Sequence, residues 1–153
     1  MPENILSPMR GTVVPLSDVP DPVFAQEIVG GGLAVQPSPH TGLVTAVSPV
    51  DGTLVRIQPH AFVIQSMEGT GILVHLGIDT VHLNGEGFDV LVSEGSTVKA
   101  GDPVVRFDQG VIAAHGYSDV CLVIVLQSPA GAVSAPTDTR TIDAAEVLFS
   151  WPS

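Results

Sequence analysis

Apolar and polar residues alternate along residues 71–80 with the period of a β-strand. Because successive side chains of a strand point to opposite faces, every second residue of this stretch is expected to share one buried face. The apolar residues of that face are Ile72, Val74 and Leu76. The opposite face carries Leu73, His75, Gly77 and Asp79. This face places an imidazole beside a glycine, which we expect to leave room for a partner to approach.

The rest of the chain predicts an all-β fold with at most short helical turns. Short apolar runs rich in β-branched residues are separated by Gly, Pro, Asn and Asp. Strands are predicted at residues 11–14, 33–35, 53–57, 61–64, 72–76, 104–107 and 120–126. No segment keeps a helical stripe for three turns. The two short-helix candidates are residues 22–28, capped by Asp21, and residues 108–114.

Charge and cysteine content exclude several classes of protein. Five Lys and Arg face sixteen Asp and Glu, and the resulting charge of −11 argues against a nucleic-acid partner and favours a basic protein partner. Cys121 is the only cysteine, so no disulfide can form within the chain and a cytoplasmic location is expected. From the sequence pattern we expect neither a signal peptide nor a membrane span. The length of 153 residues fits a single domain, residues 1–153.

An internal echo predicts duplicated β units. Residues 7–14 and residues 48–55 share five identities in eight positions, including a Ser-Pro start and a Gly-Thr pair. The tail after residue 135 is less clearly patterned, and residues 147–152 are expected to form a last edge strand closed by proline.

Three of the five histidines are weaker candidates for a functional site. His40 and His115 lie in turn-like, glycine-containing surroundings and are expected on the surface. His82 alternates with apolar residues and is either a residue beside the site or an ordinary strand-edge residue.

His60 is the best candidate partner of His75. The alternation predicts one strand face that carries His60, Phe62 and Ile64. If a hairpin turns at residues 69–70, Ile64 faces His75 and His60 lies opposite Asp79, about 13 Å from His75 along the strands. Three readings stay open from the residues alone: a nucleophilic imidazole with a hydrogen-bonding partner, a zinc site, or two unrelated surface residues. Asp79 or His82 would complete the zinc site.

Several motifs resemble the glucose-type (glucose/N-acetylglucosamine) IIA component of the bacterial phosphoenolpyruvate:sugar phosphotransferase system. The strongest are the Val-His-Leu-Gly-Ile-Asp-Thr-Val run that ends at Val81, the His-Ala-Phe of residues 60–62, and the Gly-Glu-Gly-Phe of residues 85–88. Residues 48–53, 19–25, 28–32 and 94–104 are also similar to the family, so that the resemblance covers about residues 7–130.

The resemblance implies a compact antiparallel β-sandwich and a phosphorelay. His75 is then the phosphoryl acceptor, forming a tele-phosphohistidine with the phosphocarrier protein HPr as donor. The phosphoryl group passes on to a cysteine in the IIB domain of a sugar permease. His60 is the hydrogen-bond donor to the phosphoryl group. Gln58 stands where relatives commonly have a threonine, and it is a candidate for orienting a site histidine.

The resemblance also implies a partner-binding surface around His75. An apolar collar maps onto Val23, Phe24, Leu73, Leu76 and Val81. An acidic rim that would meet arginines of the partners maps onto Asp21 and Asp79. Phosphorylation-dependent binding of regulated metabolic or transport proteins would use the same surface, because phosphate on His75 adds charge to an apolar face. The sugar is not indicated.

The resemblance implies no required cofactor, but zinc enters two alternatives. One is zinc at His60 and His75 in a regulatory complex. The other is a zinc hydrolase on a related duplicated β fold, which would need a further metal ligand and a general base. A biotinyl or lipoyl carrier is disfavoured because Lys99, the only lysine, does not lie at the corresponding hairpin tip.

Overall fold

The computed structural model describes residues 2–38, 42–133 and 140–152. These residues contain thirteen β-strands, two short α-helices and two 3₁₀ turns. The strands are β1 (Pro2–Leu6), β2 (Gly11–Pro15), β3 (Gly30–Pro37), β4 (Leu43–Val47), β5 (Gly52–Gln58), β6 (Ala61–Ser66), β7 (Gly71–Leu76), β8 (Phe88–Val90), β9 (Thr97–Val98), β10 (Pro103–Asp108), β11 (Cys121–Leu126), β12 (Thr141–Ile142) and β13 (Val147–Pro152). The helices are α1 (Pro22–Ala25) and α2 (Gln109–Ala114), and the 3₁₀ turns are Leu16–Asp18 and Thr80–Leu83.

The strands form three antiparallel sheets around one main core, which confirms the all-β sandwich expected from the sequence. The largest sheet has the order β12-β2-β3-β11-β7-β6-β5-β9. A three-stranded sheet, β4-β10-β8, and a two-stranded sheet, β1-β13, contribute to the same core. The fully buried side chains Ile5, Phe62 and Phe107 come from all three sheets and belong to one cluster.

Strand β11 lies at the centre of the large sheet and is buried on both faces. It pairs with β3 on one side and with β7 on the other. Val123 points into the main core, whereas Leu122 and Ile124 belong to a second, smaller cluster that also includes Leu16 and Val19. Burial on both faces explains why this strand is a continuous apolar run. Leu122 is directly opposite His75, so the second cluster lies beside the face that carries the imidazole.

The repeated Ser-Pro sequences adopt the same local structure, which confirms the duplicated β units. The hydroxyl of Ser7 donates to the Met9 carbonyl, and the hydroxyl of Ser48 donates to the Val50 carbonyl, both at 2.7 Å. The two copies also bond to each other, because Leu6 N donates to Pro49 O and Val47 N to Pro8 O, both at 2.9 Å.

The C-terminal strands take part in the same repetition. Strand β12 pairs with the start of β2 as β9 pairs with the start of β5. Strand β13 pairs with β1, as expected for residues 147–152. The tail therefore completes the first β unit.

Both predicted helices are present, and each is capped by the aspartate that precedes it, of which only Asp21 was predicted as a cap. The side chain of Asp21 accepts from Val23 N at 2.9 Å, and the side chain of Asp108 accepts from Gly110 N at 2.8 Å. Helix α1 ends at Ala25 and is shorter than the predicted 22–28. No helix within the described part of the chain is long and apolar enough to cross a membrane.

Candidate functional site

His75 lies on the outward face of β7, as the alternation predicts. Ile72, Val74 and Leu76 are fully buried in the main core. Leu73 and His75 are only partly buried on the other face. The strand therefore holds the imidazole rigidly at the surface, with a packed core beneath it.

His60 lies next to His75, although it is not part of a strand. It occupies the tight turn between β5 and β6, where Gln58 pairs with Ala61. Ala61 is directly opposite His75 in the β6–β7 pair, and Leu76 N donates to His60 O at 2.7 Å. The two imidazole centroids are 5.3 Å apart, with an interplanar angle of 76°. The structure thus brings together the two histidines.

The predicted hairpin register was wrong by three residues. Ile64 was expected to face His75, but it pairs with Ile72. The reason is that the turn is centred earlier, on Glu68 rather than between Gly69 and Thr70. Ser66 N donates to Thr70 O at 2.8 Å, and the Ser66 hydroxyl accepts from Thr70 N at 3.1 Å. Phe62 and Ile64 were expected on the face of His60, and both are instead fully buried in the core.

A backbone hydrogen bond sets the tautomer of His75. Its Nδ1 lies 2.7 Å from the carbonyl oxygen of Gly77. Because a carbonyl oxygen only accepts, Nδ1 must carry the proton, and Nε2 of the neutral ring then keeps its lone pair. Nε2 is therefore the nucleophilic atom of this imidazole.

Gly77 does not provide the open space that the sequence suggested. It is buried with φ of +84°, and a Cβ there would lie 2.5 Å from Thr80 Cγ2 and 2.8 Å from Ser118 O. The expectation of access was wrong because the following turn packs against this residue. Thr80 closes the turn by donating its hydroxyl to Leu76 O at 2.6 Å. Glycine is needed for the backbone conformation that aims the carbonyl at His75.

The surroundings favour a neutral His75. Burial is the largest influence and lowers its pKa from the ordinary value of 6.5, and the neighbouring His60 acts in the same direction. The hydrogen bond to Gly77 and the charges of Asp21 and Asp79 oppose this, but the net shift is downward. Burial also lowers the pKa of His60. Both rings are thus biased toward the uncharged form at neutral pH.

One residue of the expected apolar collar, Phe24, packs directly against the imidazole of His75. The rings of Phe24 and His75 are 5.1 Å apart at 53°. Val23 is 45% exposed and Val81 is 51% exposed, whereas Phe24 and Leu73 are partly buried. We call Val23, Phe24, Leu73 and Val81 the apolar collar.

Leu76 does not belong to this collar. It is 0% exposed, because its position in the alternation points it into the core with Ile72 and Val74. Its expected place on a docking surface is therefore corrected.

The two acidic residues lie close enough to affect His75. Asp21 starts helix α1 and is partly buried, and Asp79 is exposed with φ of +63° at the start of the following 3₁₀ turn. Both carboxylates act on the pKa of His75.

The other candidate polar residues do not join this group. Gln58 is exposed, and its side chain makes no hydrogen bond to either site histidine within the described residues. His82 is exposed in the 3₁₀ turn, and His115 is exposed and lies 3.3 Å from Glu86. His40 lies outside the described residues.

The described residues do not supply a metal site. Among residues 2–38, 42–133 and 140–152, no three His, Cys, Asp or Glu side chains form a group that could hold a metal ion. Neither Asp79 nor His82 completes a set with the two imidazoles, and zinc usually takes four ligands. The zinc hydrolase alternative therefore gains no support from this site.

Sequence reasoning missed the contributions of backbone and small residues to the site. The Gly77 carbonyl, the Thr80 hydroxyl and the small Ala61 opposite His75 were not singled out. The available signal for the turn was Gly77, two residues after a candidate histidine, with Asp79 and Thr80 close behind it.

Comparisons with known proteins identify the family of the chain. Residues 3–130 match the family model of the phosphoenolpyruvate-dependent sugar phosphotransferase system, EIIA 1. The chain is 42% identical over 130 residues to the PTS system glucose-specific EIIA component of Bacillus cereus, covering 84% of this chain and 76% of the relative. It is 43% identical over 124 residues to the PTS system mannose-specific EIIBCA component of Corynebacterium glutamicum, covering 80% of this chain and 18% of that relative.

A solved structure shares the fold over nearly the whole chain. The glucose permease IIA from Mycoplasma capricolum superposes with a TM-score of 0.83 at 32% identity, covering 96% of this chain and 94% of that one. The matched region contains both site histidines and the Gly77 turn. The chain therefore belongs to the glucose-type EIIA family of the phosphoenolpyruvate-dependent sugar phosphotransferase system, whose members are phosphotransferase proteins.

Proposed function

We propose that this chain is a phosphoryl carrier of sugar uptake. His75 accepts a phosphoryl group from phospho-HPr and passes it to a cysteine in the IIB domain of a glucose/N-acetylglucosamine-type permease. The observation that carries the proposal is the 2.7 Å contact between His75 Nδ1 and Gly77 O, which leaves Nε2 as the free nucleophile.

Each transfer is a displacement at phosphorus. In the first, the Nε2 lone pair of His75 forms an N–P bond while the bond between phosphorus and the donor histidine of HPr breaks. Nδ1 keeps its proton throughout, because it is bonded to Gly77 O. In the second, the IIB thiolate forms an S–P bond while the N–P bond of phospho-His75 breaks. Such transfers depend mainly on positioning and charge stabilisation.

The position of His60 supports a role in stabilising the charge of the transferring group. Its ring centroid is 5.3 Å from that of His75, and burial favours the neutral ring, which has one N–H to donate. We assign it the hydrogen bond to a phosphoryl oxygen. The exposed Gln58 has no comparable support and stays a prediction.

The collar and the acidic residues suit a partner with an apolar, basic face. Val23, which adjoins Phe24 in the chain, and Val81, two residues after Asp79, offer exposed apolar area. Contact with a partner there would exclude water from a labile phosphohistidine. Asp21 and Asp79 would meet arginines around the same contact, and the net charge of −11 would steer a basic partner toward the chain.

Transport and regulation would share this surface. A phosphoryl group on His75 adds negative charge within the collar, which disfavours any regulated protein that docks on it in the dry state. A zinc ion bound by His60 and His75 would need its remaining ligands from such a protein. The relay operates in the cytoplasm, where the phosphoryl donor is formed.

The proposal is tested by incubating the chain with phosphoenolpyruvate, enzyme I and HPr and measuring its intact mass. We expect one acid-labile phosphoryl group on the wild type and none on His75→Ala. His82→Ala is the matched control, because it removes an exposed histidine seven residues away. Failure of the wild type to gain mass, or retention of the phosphoryl group by His75→Ala, contradicts the proposal.

A further inference from the structure

The backbone around the carbonyl that orients His75 is held by a distant part of the chain. Gly77 N donates to Val120 O at 3.0 Å, and Ile78 N donates to Ser118 O at 2.9 Å. The peptide unit that carries Gly77 O links Gly77 to Ile78, so it lies between these two hydrogen bonds and contains the second donor. Its orientation therefore depends on residues 118–120.

Residues 118–120 precede β11 and have no regular structure of their own. Their side-chain anchor is Asp119, whose two carboxylate oxygens each accept a hydrogen bond. Oδ1 lies 2.6 Å from Gln36 Nε2, and Oδ2 lies 2.8 Å from Gln109 Nε2. Because Gln36 belongs to β3 and Gln109 to α2, Asp119 ties the segment to two separate elements.

Gln109, one of the two partners of Asp119, is buried. It is only 7% exposed, and its Nε2 also lies 3.4 Å from Ser38 O. Its Oε1 is buried without a hydrogen-bond partner in the described residues. A buried amide with one unpaired end depends on the bonds at its other end, so the Asp119 carboxylate is the main group that orients it.

We propose that Asp119 is a positioning residue for His75. It holds residues 118–120 between β3 and α2, these residues hold the Gly77 peptide, and the Gly77 carbonyl holds the Nδ1 proton. The path is a continuous series of hydrogen bonds and backbone links, and none of Asp119, Gln36 and Gln109 is hydrogen-bonded to the imidazole within the described residues. The role of the His75 tautomer in phosphoryl transfer rests on the proposed function.

Loss of this anchor has a specific chemical consequence. If the Gly77 carbonyl turns away, Nδ1 loses its acceptor and the proton is free to occupy Nε2 instead. A ring protonated on Nε2 cannot attack phosphorus through that atom. A loosened anchor therefore lowers the reactive fraction of His75 without changing any residue of the site.

The test compares Asp119→Ala with Asp89→Ala. Asp89 is also an aspartate hydrogen-bonded to one long polar side chain, Arg106 at 3.2 Å, so both variants lose one negative charge and a hydrogen-bonded carboxylate. The ¹⁵N shifts of the His75 ring report the tautomer in the unphosphorylated protein. For Asp119→Ala we expect a shift toward the Nε2–H form and about a tenfold slower acceptance from phospho-HPr. We expect Asp89→Ala to match the wild type in both.

A purely structural role gives a different result. In that case Asp119→Ala lowers the unfolding midpoint while the ring shifts stay those of the wild type, and the inference is overturned. If Asp119→Ala does not fold, Asp119→Asn decides, because it keeps one acceptor oxygen and should show a smaller shift in the same direction. The ring measurement needs no HPr, so this inference and the proposed function can fail separately.

Discussion

His75 Nδ1 lies 2.7 Å from the carbonyl oxygen of Gly77, two residues further along the chain. This contact assigns the ring proton to Nδ1 and the lone pair to Nε2. It also makes the reactivity of a side chain depend on the backbone conformation of a glycine. The same glycine is held by residues before β11, so the site extends beyond the residues that surround the imidazole.

Replacement of Gly77 by alanine should damage both stability and transfer. The new Cβ would lie 2.5 Å from Thr80 Cγ2 and 2.8 Å from Ser118 O, at a φ of +84° that alanine disfavours. We expect urea denaturation to show a loss of about 2–4 kcal/mol in the free energy of unfolding. Phosphoryl acceptance should fall as well, because the carbonyl must move.

Gly69→Ala is the matched control for Gly77→Ala. Gly69 has a similar φ of +89°, but a Cβ there would meet nothing within 4 Å. Its cost should therefore be the backbone strain alone, about 1 kcal/mol, with normal transfer. Equal effects of the two substitutions would show that packing around Gly77 is unimportant.

The lowered pKa of His75 should keep transfer active in mildly acidic solution. An ordinary histidine is half protonated at pH 6.5, whereas His75 stays mostly neutral there and loses its nucleophile only at lower pH. A titration of the ring followed by ¹⁵N NMR should give a midpoint below 6.5. A midpoint above 6.5 would mean that the carboxylates of Asp21 and Asp79 outweigh burial.

The same shift predicts how stability depends on pH. Below about pH 6.5 the unfolded chain binds a proton at His75 that the folded chain does not bind. The free energy of unfolding should therefore fall as the pH is lowered through this range, until the folded-state pKa is reached. His75→Ala should reduce the slope of stability against pH between these two values, and an unchanged slope would contradict the assignment.

His60→Gln should separate the two halves of the relay. Acceptance from phospho-HPr depends on Nε2 of His75, which the substitution leaves intact. Onward transfer to IIB should slow by about 10²-fold, the size expected when one donor to a transferring group is lost. His82→Gln removes an exposed histidine and should change neither rate. Unchanged onward transfer in His60→Gln would remove His60 from the mechanism.

A charge within the apolar collar should weaken docking but not folding. Val81 is 51% exposed, so Val81→Asp should leave stability within about 0.5 kcal/mol of the wild type. The Michaelis constant for phospho-HPr should rise, because the acidic residue must be desolvated at the contact. Val147 in β13 is 45% exposed, and Val147→Asp should leave that constant unchanged. Equal Michaelis constants for the two variants would argue against a collar at Val81.

Local sequence signals predicted much of the fold. The alternation around His75 and the Asp21 cap of α1 are read from neighbouring residues, and both predictions were correct. The repeated Ser-Pro sequences predicted duplicated β units, and the two copies share a hydrogen bond because a short motif determines its own geometry. Very short strands such as β9 and β12 were not predicted, since two residues carry no alternation.

Contacts between distant segments could not be read in the same way. The register of β6 against β7 depends on where the chain turns, and a turn centred on Glu68 moved the partner of Ile64 by three positions. The alternation alone consequently left His60 and His75 well apart, and only the family resemblance placed them together. Asp119 carries no signal at all, because its partners Gln36 and Gln109 are distant in the chain.

The central claim is that Nε2 of His75 carries the phosphoryl group. The most direct measurement is ¹⁵N and ³¹P NMR of the protein phosphorylated by phosphoenolpyruvate, enzyme I and HPr. The predicted result is one phosphoryl group on Nε2 of His75, with the Nδ1 proton still present. A phosphoryl group on Nδ1 of His75, on His60 or on another residue would contradict the account.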